Sequence, residues 1–350
     1  MRETDFVSTC CRVALLGFGA VGSAVARRLT TADPDSSPEI QLTHIFDRRA
    51  AEKSAWLAAP GVAWTSSIDE VLQSSADVIV EAIGGVEPAA GWIHAALLAG
   101  KSVVTANKQV IARHGSSLTK LAARQGRQLR FEAAVGGAMP IVRALGEGLT
   151  GDRITRVVAI LNGTTNAVLT QMEETGCALD VAVADAQRRG YAEADPSIDL
   201  NGDDARAKLA ILCALAFGLR VDPSQIDAQS SASVTPDDFA RARRNGGTIR
   251  QIAHAEYDRV ASVLTAWVAP VEVGASSIFA QTRGPQNAAL ITGAHSGETG
   301  IFGAGAGGEA TAVAVISDIV AIARDKHAAS AAPVLNSHFS ILNSVLAEAV

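Results

Sequence analysis

The stretch RVALLGFGAVGSAVARRL, residues 12–29, limits what this chain can fold into more than any other. An apolar run, Val13–Leu16, leads into Gly17-Phe18-Gly19-Ala20-Val21-Gly22, and a segment of helical period follows. A strand that turns through three glycines into a helix is the phosphate-binding opening of a dinucleotide fold. Gly17 permits the tight turn, Gly19 lets the backbone approach a pyrophosphate, and Gly22 allows the helix to pack close. The helix N-terminus then offers N–H groups and its positive dipole end to the phosphates. GxGxxG alone is a weak signal, so the strands that follow must support it.

They do. IQLTHIFDRR (40–49) reads as a second strand ending in Asp47, placed to accept hydrogen bonds from an adenosine ribose. Arg48 and Arg49 come next and would instead suit a 2′-phosphate, so NAD and NADP both remain open. ADVIVEAIGG (76–85) is a further strand closed by glycines. GKSVVTANKQVI (100–111) gives a strand, Ser102–Thr105, with Asn107 and Lys108 at its carboxyl end. Ligands of doubly wound sheets collect at that edge, which places Lys108 near the nicotinamide or the substrate. The expectation is an α/β chain with a Rossmann-type, doubly wound parallel sheet over 1–140, completed by a C-terminal segment at about 303–350.

At 350 residues the chain exceeds one typical core, so a second lobe is expected. Residues 141–302 read as an α+β lobe for substrate binding, catalysis and dimerisation. RVVAILNGTTNAVLTQM (156–172) supplies a strand, a polar turn and a helix; Thr164 or Thr165 could cap that helix or hydrogen-bond a substrate. SVLTAWVAPVEV and SSIFAQT alternate like an antiparallel sheet from about residue 260. FGAGAGGEATAVAVISDIVAIA (302–323) brings a second glycine-rich turn into an apolar helix, and a last helix is expected after 328.

GYAEADPSIDLNGDDARAKL (190–209) crowds five carboxylates ahead of one lysine. An EF-hand loop needs glycine at its sixth position, and counting from Asp195 or Asp199 gives Leu200 or Asp204. That metal reading fails. Gly202 breaks the chain, Asp203 reads as an N-cap, and DARAKLAILCALAF follows at helical period. Asp204 and Lys208 are four apart and share a face that continues through Ile211, Leu212 and Leu215. Lys208 therefore points with the apolar side of its helix. A lysine there is costly to desolvate unless carboxylates pair with it. The chain has six lysines, and Lys108 and Lys208 both stand at presumed site elements.

Composition removes several function classes. The net charge of −6, with no dense basic stripe, argues against nucleic acid; Arg241–Arg244 reads as a solvated helix end. No apolar run reaches the roughly 18 residues of a membrane span, and the first residues lack a signal-peptide pattern. Four cysteines without CxxC spacing fit a reducing, cytoplasmic compartment. Cys10 and Cys11 read as part of a mobile tail. Cys177 and Cys213 read as helical, which leaves no nucleophile for thioester chemistry.

Taken together, GFGAVG (17–22), TANK (105–108), EAAVGGAMP (132–140), ILNGTTN (160–166) and GYAEADPSIDLNGDDARAKLAIL (190–212) resemble the homoserine dehydrogenase family over roughly 12–325. The last motif is far more specific than the glycine turn. The resemblance implies NAD or NADP as cofactor and a small amino-acid substrate, L-homoserine or L-aspartate 4-semialdehyde. It implies Glu193 and Asp204 as substrate ligands with Thr164 beside them, Asp199 in support of catalysis, and Lys208 as proton donor. Gly17, Phe18, Gly19, Ala20, Val21, Gly22, Asp47, Arg48, Lys108, Gly190 and Gly307 are implied at the cofactor. A sodium-type cation is implied at Glu132 and the carbonyls of Val135, Gly137 and Met139. The apolar strands of the second lobe suggest a sheet shared between subunits, so a homodimer or dimer of dimers is expected. Two departures stand out. Glu309 and Ala310 alter the family's late glycine turn, and no regulatory ACT domain is expected. Two readings compete with this one: another small amino alcohol as substrate, or a protein that binds NAD(P) without turnover.

Overall fold

The computed structural model describes residues 10–31, 39–57 and 59–326. Three runs of the first lobe, Val13–Leu16, Val78–Glu81 and Ser102–Thr105, are buried along their whole length, as strands covered on both faces must be. β1 (Cys11–Leu16), β2 (Ile40–Phe46), β3 (Ala63–Thr65), β4 (Val78–Glu81), β5 (Ser102–Thr105) and β6 (Leu129–Arg130) form one sheet in the order β3-β2-β1-β4-β5-β6. Each neighbouring pair is parallel. Helix α1 (Ala20–Thr30) covers one face, packing Ala24 and Val25 with Val13, Leu15, Val78 and Val80. Helices α2 (Ala89–Leu98) and α3 (Lys108–Arg124) cover the other, where Ile93, Leu97, Val110 and Leu118 meet Ala14, Leu16, Ile79 and Val103.

The second sheet takes β7 (Ile154–Ile160), β8 (Asp227–Ala228), β9 (Gly247–Asp258), β10 (Val263–Gly274), β11 (Gln286–Gly293) and β12 (Gly297–Ala304), in the order β12-β11-β7-β9-β10-β8. All pairs are antiparallel except β10 with β8. Helices α4 (Gly163–Thr175), α5 (Leu179–Arg188), α6 (Asp203–Phe217) and α7 (Pro236–Arg244) belong to this lobe. Period-2 alternation splits the strands: Val157, Ala159, Ala253, Ala255, Val268 and Ile291 face Leu209, Leu212 and Phe217 of α6. The opposite face carries Val158, Trp267, Val271 and Leu290, which are only partly buried.

A last described helix, α8, spans residues 308–326. Its Ala312, Val315, Ile319 and Ala323 pack into the core that holds Val13 and Leu15, so the chain returns to its first sheet after building the second. The helix expected after residue 328 and the stretch 1–9 lie outside the described residues.

Four local expectations are corrected. SSIFAQT is not a strand: Ile278–Gln281 form one helical turn capped by Ser277, which buries Phe279 and Ala280. The antiparallel sheet also begins earlier than read, since Ile154–Ile160 and Gly247–Asp258 already belong to it. Cys10 and Cys11 are not in a tail, since Cys11 opens β1 fully buried and Cys10 is buried beside it. Cys177 is not helical either; it follows Gly176, the left-handed C-cap of α4.

Candidate active site

The glycine turn is built as its residue types demand. Gly17 has φ +97°, and a Cβ there would lie 2.7 Å from Ala82 O. A Cβ on Gly22 would strike Gly17 O, so helix and strand approach as closely as backbone allows. Gly19, the N-cap of α1, carries no side-chain cap, and a Cβ on it would meet open space. The late glycine turn comes to the same place: Gly307 has φ +106°, and a Cβ on Gly308 would lie 2.7 Å from Ala20 O. The starts of α1 and α8 thus converge. Two converging helix N-termini with open glycines at Gly19 and Gly307 form a cradle that suits the anionic part of a dinucleotide.

Phe18, inside the turn, is buried against Trp64 at a centroid distance of 4.8 Å. Its N–H donates to Asp47 Oδ2 at 3.1 Å, which ties the glycine turn to the end of β2. Asp47 also accepts Arg49 N at 2.9 Å and pairs with Lys53 Nζ at 2.6 Å. Burial would raise the Asp47 carboxyl, but Lys53 and these two N–H groups outweigh it and hold the carboxyl below its ordinary value. Lys53 is almost fully buried, and nothing in its sequence setting pointed to it. Arg48 is exposed beside this pair.

Between the lobes the geometry centres on Asp204. Gly202, at φ +81° and tight against Val268, turns the chain into α6 and is itself the N-cap. Asp203, read as the cap, is instead the first helical residue and pairs with Arg206 at 2.7 Å. One turn on, Lys208 Nζ lies 2.7 Å from Asp204 Oδ2 and donates to Leu161 O at 2.8 Å. Lys208 is inward as its helical phase requires, its side chain 12% exposed. Lys108, entering from the carboxyl end of β5, lies 2.7 Å from Asp204 Oδ1.

Burial would raise Asp204, yet Lys208 and Lys108 hold it far below the carboxylate range. Burial likewise lowers Lys108, but Asp204, Asp199 and Glu193 outweigh it and push its pKa up. Asp199, unlike Asp204, is raised, chiefly by burial.

The remaining candidates stand as follows. Glu193 is exposed on the segment after α5, near enough to Lys108 to favour its charged form. Gly190 takes φ +74° just past α5. Thr164 donates its one hydroxyl proton to Tyr191 O at 2.6 Å, so it holds the acidic segment in place. Neither Thr164 nor Thr165 caps α4; Asn162 does, accepting Thr165 N at 2.7 Å. The same amide donates to Asp199 at 2.7 Å and Asp204 at 2.8 Å. Asparagine's N-cap preference could have singled it out, but threonine shares that preference.

Glu132 splits its carboxylate between Val142 N and Arg143 N, both at 2.8 Å, while Met139 O accepts Ile141 N at 2.9 Å. Burial pushes the Glu132 carboxyl up to about 7, with Asp318 adding to it. A buried carboxylate short of positive charge fits a monovalent cation. Among the described residues no group of three or more His, Cys, Asp or Glu is placed to hold a metal.

Glu309, the unexplained carboxylate of the late turn, faces away from the cradle. It pairs with Arg27 at 2.8 Å and Arg28 at 3.1 Å, pinning α8 to α1 on the outer surface. No helix among the described residues is long and apolar enough to cross a membrane.

The family model "Homoserine dehydrogenase, NAD binding domain" matches residues 17–132, and "Homoserine dehydrogenase" matches 140–320. The homoserine dehydrogenase of Mycobacterium bovis is 39% identical over 329 residues, spanning 92% of this chain and 74% of its own length. A crystal structure of a homoserine dehydrogenase from Thiobacillus denitrificans superposes with a TM-score of 0.84 at 36% identity, covering 91% of this chain and 75% of that one. A hyperthermophilic archaeal homoserine dehydrogenase mutant, in complex with NADPH, superposes with a TM-score of 0.75 at 27% identity, over 89% and 97%. With glycine cradle, paired lysines and acidic turn assembled across the matched span, the chain belongs to the homoserine dehydrogenase family.

Proposed function

We propose that this chain interconverts L-homoserine and L-aspartate 4-semialdehyde with NAD(P) as hydride carrier. The observation that carries the reading is Asp204, buried and shared by Lys108 from the cofactor sheet and Lys208 from the second lobe. Among the described residues, those up to 140 and 303–326 serve the cofactor, and 141–302 serve the substrate. When bound, the nicotinamide supplies or takes the hydride.

The chain's own residues do the rest. Lys208 gives a proton to the developing alkoxide in reduction and takes it back in oxidation, with Asp204 and Leu161 O fixing its ammonium. Such placed proton transfer contributes about 10²–10⁴-fold. Glu193 and Asp204 take the substrate's α-ammonium. Oδ2 of Asp204 is held by both Lys208 and Asn162, so Oδ1, shared only with Lys108, is the oxygen an ammonium would compete for. Thr164 reaches the α-carboxylate by exchanging its bond to Tyr191 O. Asp199 supports the proton path from beside Asp204 through their common partner, Asn162. The glycine turns at Gly17–Gly22 and Gly307, with Asp47, Arg48, Lys108 and Gly190, line the cofactor's course.

A monovalent cation at Glu132, with the carbonyls of Val135, Gly137 and Met139, has a structural role in this reading. A higher melting temperature in sodium chloride than in choline chloride supports it; equal temperatures overturn it. The partly buried Trp267, Val271 and Leu290 and the exposed Phe302 support a homodimer through the open face of the second sheet. Size-exclusion chromatography with light scattering decides that. Free cysteines at Cys10, Cys11, Cys177 and Cys213 suit a reducing, cytoplasmic setting.

The decisive assay mixes L-homoserine with NAD⁺ or NADP⁺ and follows absorbance of the reduced cofactor. Turnover with either supports the reading, and silence with both overturns it. The rival of another amino alcohol rested on Glu309 and Ala310, and the outward pairing of Glu309 with Arg27 and Arg28 removes the carboxylate's share of that support.

A further inference from the structure

Asn162 joins three segments that are separate in sequence. It follows β7, caps α4 through Oδ1, and sends Nδ2 to Asp199 on the 197–200 turn and Asp204 on α6. Its side chain is buried, with 5% of the residue exposed. The cap identifies the atoms. Oδ1 must be the oxygen because a backbone N–H points at it, so the nitrogen faces the acids.

An amide nitrogen has two hydrogens, and here each meets a different carboxylate, at 2.7 and 2.8 Å. Two carboxylates within reach of one nitrogen repel each other at low polarity unless donors or cations stand between them. Lys108 and Lys208 both contact Asp204, so that acid is well compensated. For Asp199, Asn162 is the donor at hydrogen-bond distance.

We infer that Asn162 is a positioning residue. It clamps the Asp199 and Asp204 carboxylates side by side and, through Asp204, sets where the Lys208 ammonium stands. This rests on the homoserine reading above and adds to it a residue that touches neither substrate nor cofactor. Capping alone would need only the oxygen. The nitrogen is the part aimed at chemistry, and the two roles separate by substitution.

Asn162→Ser keeps a good N-cap acceptor and removes both donors. The charged groups facing the clamp are Asp199, Asp204, Lys108, Lys208 and Glu193. Loss of donors to the charged form raises a carboxyl pKa. In N162S, kcat for L-homoserine oxidation should fall by about 10- to 100-fold, with its acid limb moved to higher pH. The melting temperature and the affinity for NADPH should hold.

Asn162→Asp also keeps the cap but adds a third carboxylate, so it should be slower still, and it serves if N162S does not fold. In the Asp199→Asn background, N162S should cost several-fold less than in wild type. Wild-type kcat and pH profile in either Asn162 variant would overturn the clamp while leaving the function standing. An equal cost in both backgrounds would overturn it too. A wild-type enzyme silent on L-homoserine would overturn the function itself, and this role with it.

Discussion

Lys108 and Asp204 meet at 2.7 Å although one opens the helix that follows β5 of the cofactor sheet and the other lies in the first turn of a helix of the second lobe. This contact makes one site from two lobes. It also gives Asp204 a second cation besides Lys208, so the carboxylate stays ionised in a setting that would otherwise protonate it.

The first prediction concerns Lys208. Lys208→Ala should lower kcat by about 10²–10⁴-fold, the usual contribution of a placed proton donor. NADPH affinity, read by fluorescence titration, should stay within about two-fold, because that contact set is elsewhere. Near-normal turnover would remove Lys208 from the reaction.

Removing Lys108 tests the shared carboxylate through pH. The folded pKa of Asp204 is depressed, so its stabilising contribution is present above the unfolded value and is lost as pH falls through the folded one. Lys108 is raised, so its contribution is present below 10.5 and is lost as pH rises past its folded value. Lys108→Met leaves Asp204 one cation and should move the acid-unfolding midpoint to higher pH. The cost at neutral pH should be about 1–2 kcal/mol, below a fully buried pair because Lys108 is partly exposed. Melting temperatures from pH 3 to 8 would show it, and an unchanged acid midpoint would count against the pairing.

Cofactor choice should depend on Lys53. The Asp47–Lys53 pair cancels the carboxylate that would otherwise repel a 2′-phosphate. Lys53→Met leaves Asp47 uncompensated beside the exposed Arg48. The ratio of kcat/KM for NADP⁺ over NAD⁺ should then fall by about ten-fold, roughly 1.4 kcal/mol. A ratio that stays put would mean that Asp47 does not face the ribose.

Glu309 provides a control. Its partners are surface arginines, and exposed pairs contribute little. Glu309→Ala should leave kcat and KM for L-homoserine within about two-fold of wild type. A change in substrate preference would reopen the alternative amino-alcohol reading.

What the sequence disclosed follows from which interactions are local. The glycine turn and the Asp204–Lys208 pair lie within a few residues, so spacing alone placed them. Lys108 was legible as an edge residue of β5, but its partner was not, because no local rule joins residue 108 to 204. Asn162 was hidden by Thr164 and Thr165, which are also accepted N-cap residues although asparagine ranks above threonine. Lys53 gave no signal, since its value arises only when the chain folds it onto Asp47. SSIFAQT misled because a four-residue alternation fits a strand and a short helical turn alike, and burial of Phe279 decided for the turn.

The docking of Gly308 on Ala20 has a consequence for how the molecule is made. α8 supplies side chains to the core around β1, yet it leaves the ribosome only after both sheets have been synthesised. The N-terminal strands therefore wait, with part of one face bare, for some three hundred residues of further translation. During that interval the second sheet, whose β9–β10 and β11–β12 pairs join consecutive strands, can begin its pairing. The cofactor cradle therefore waits on the helix that brings the chain back to its first sheet.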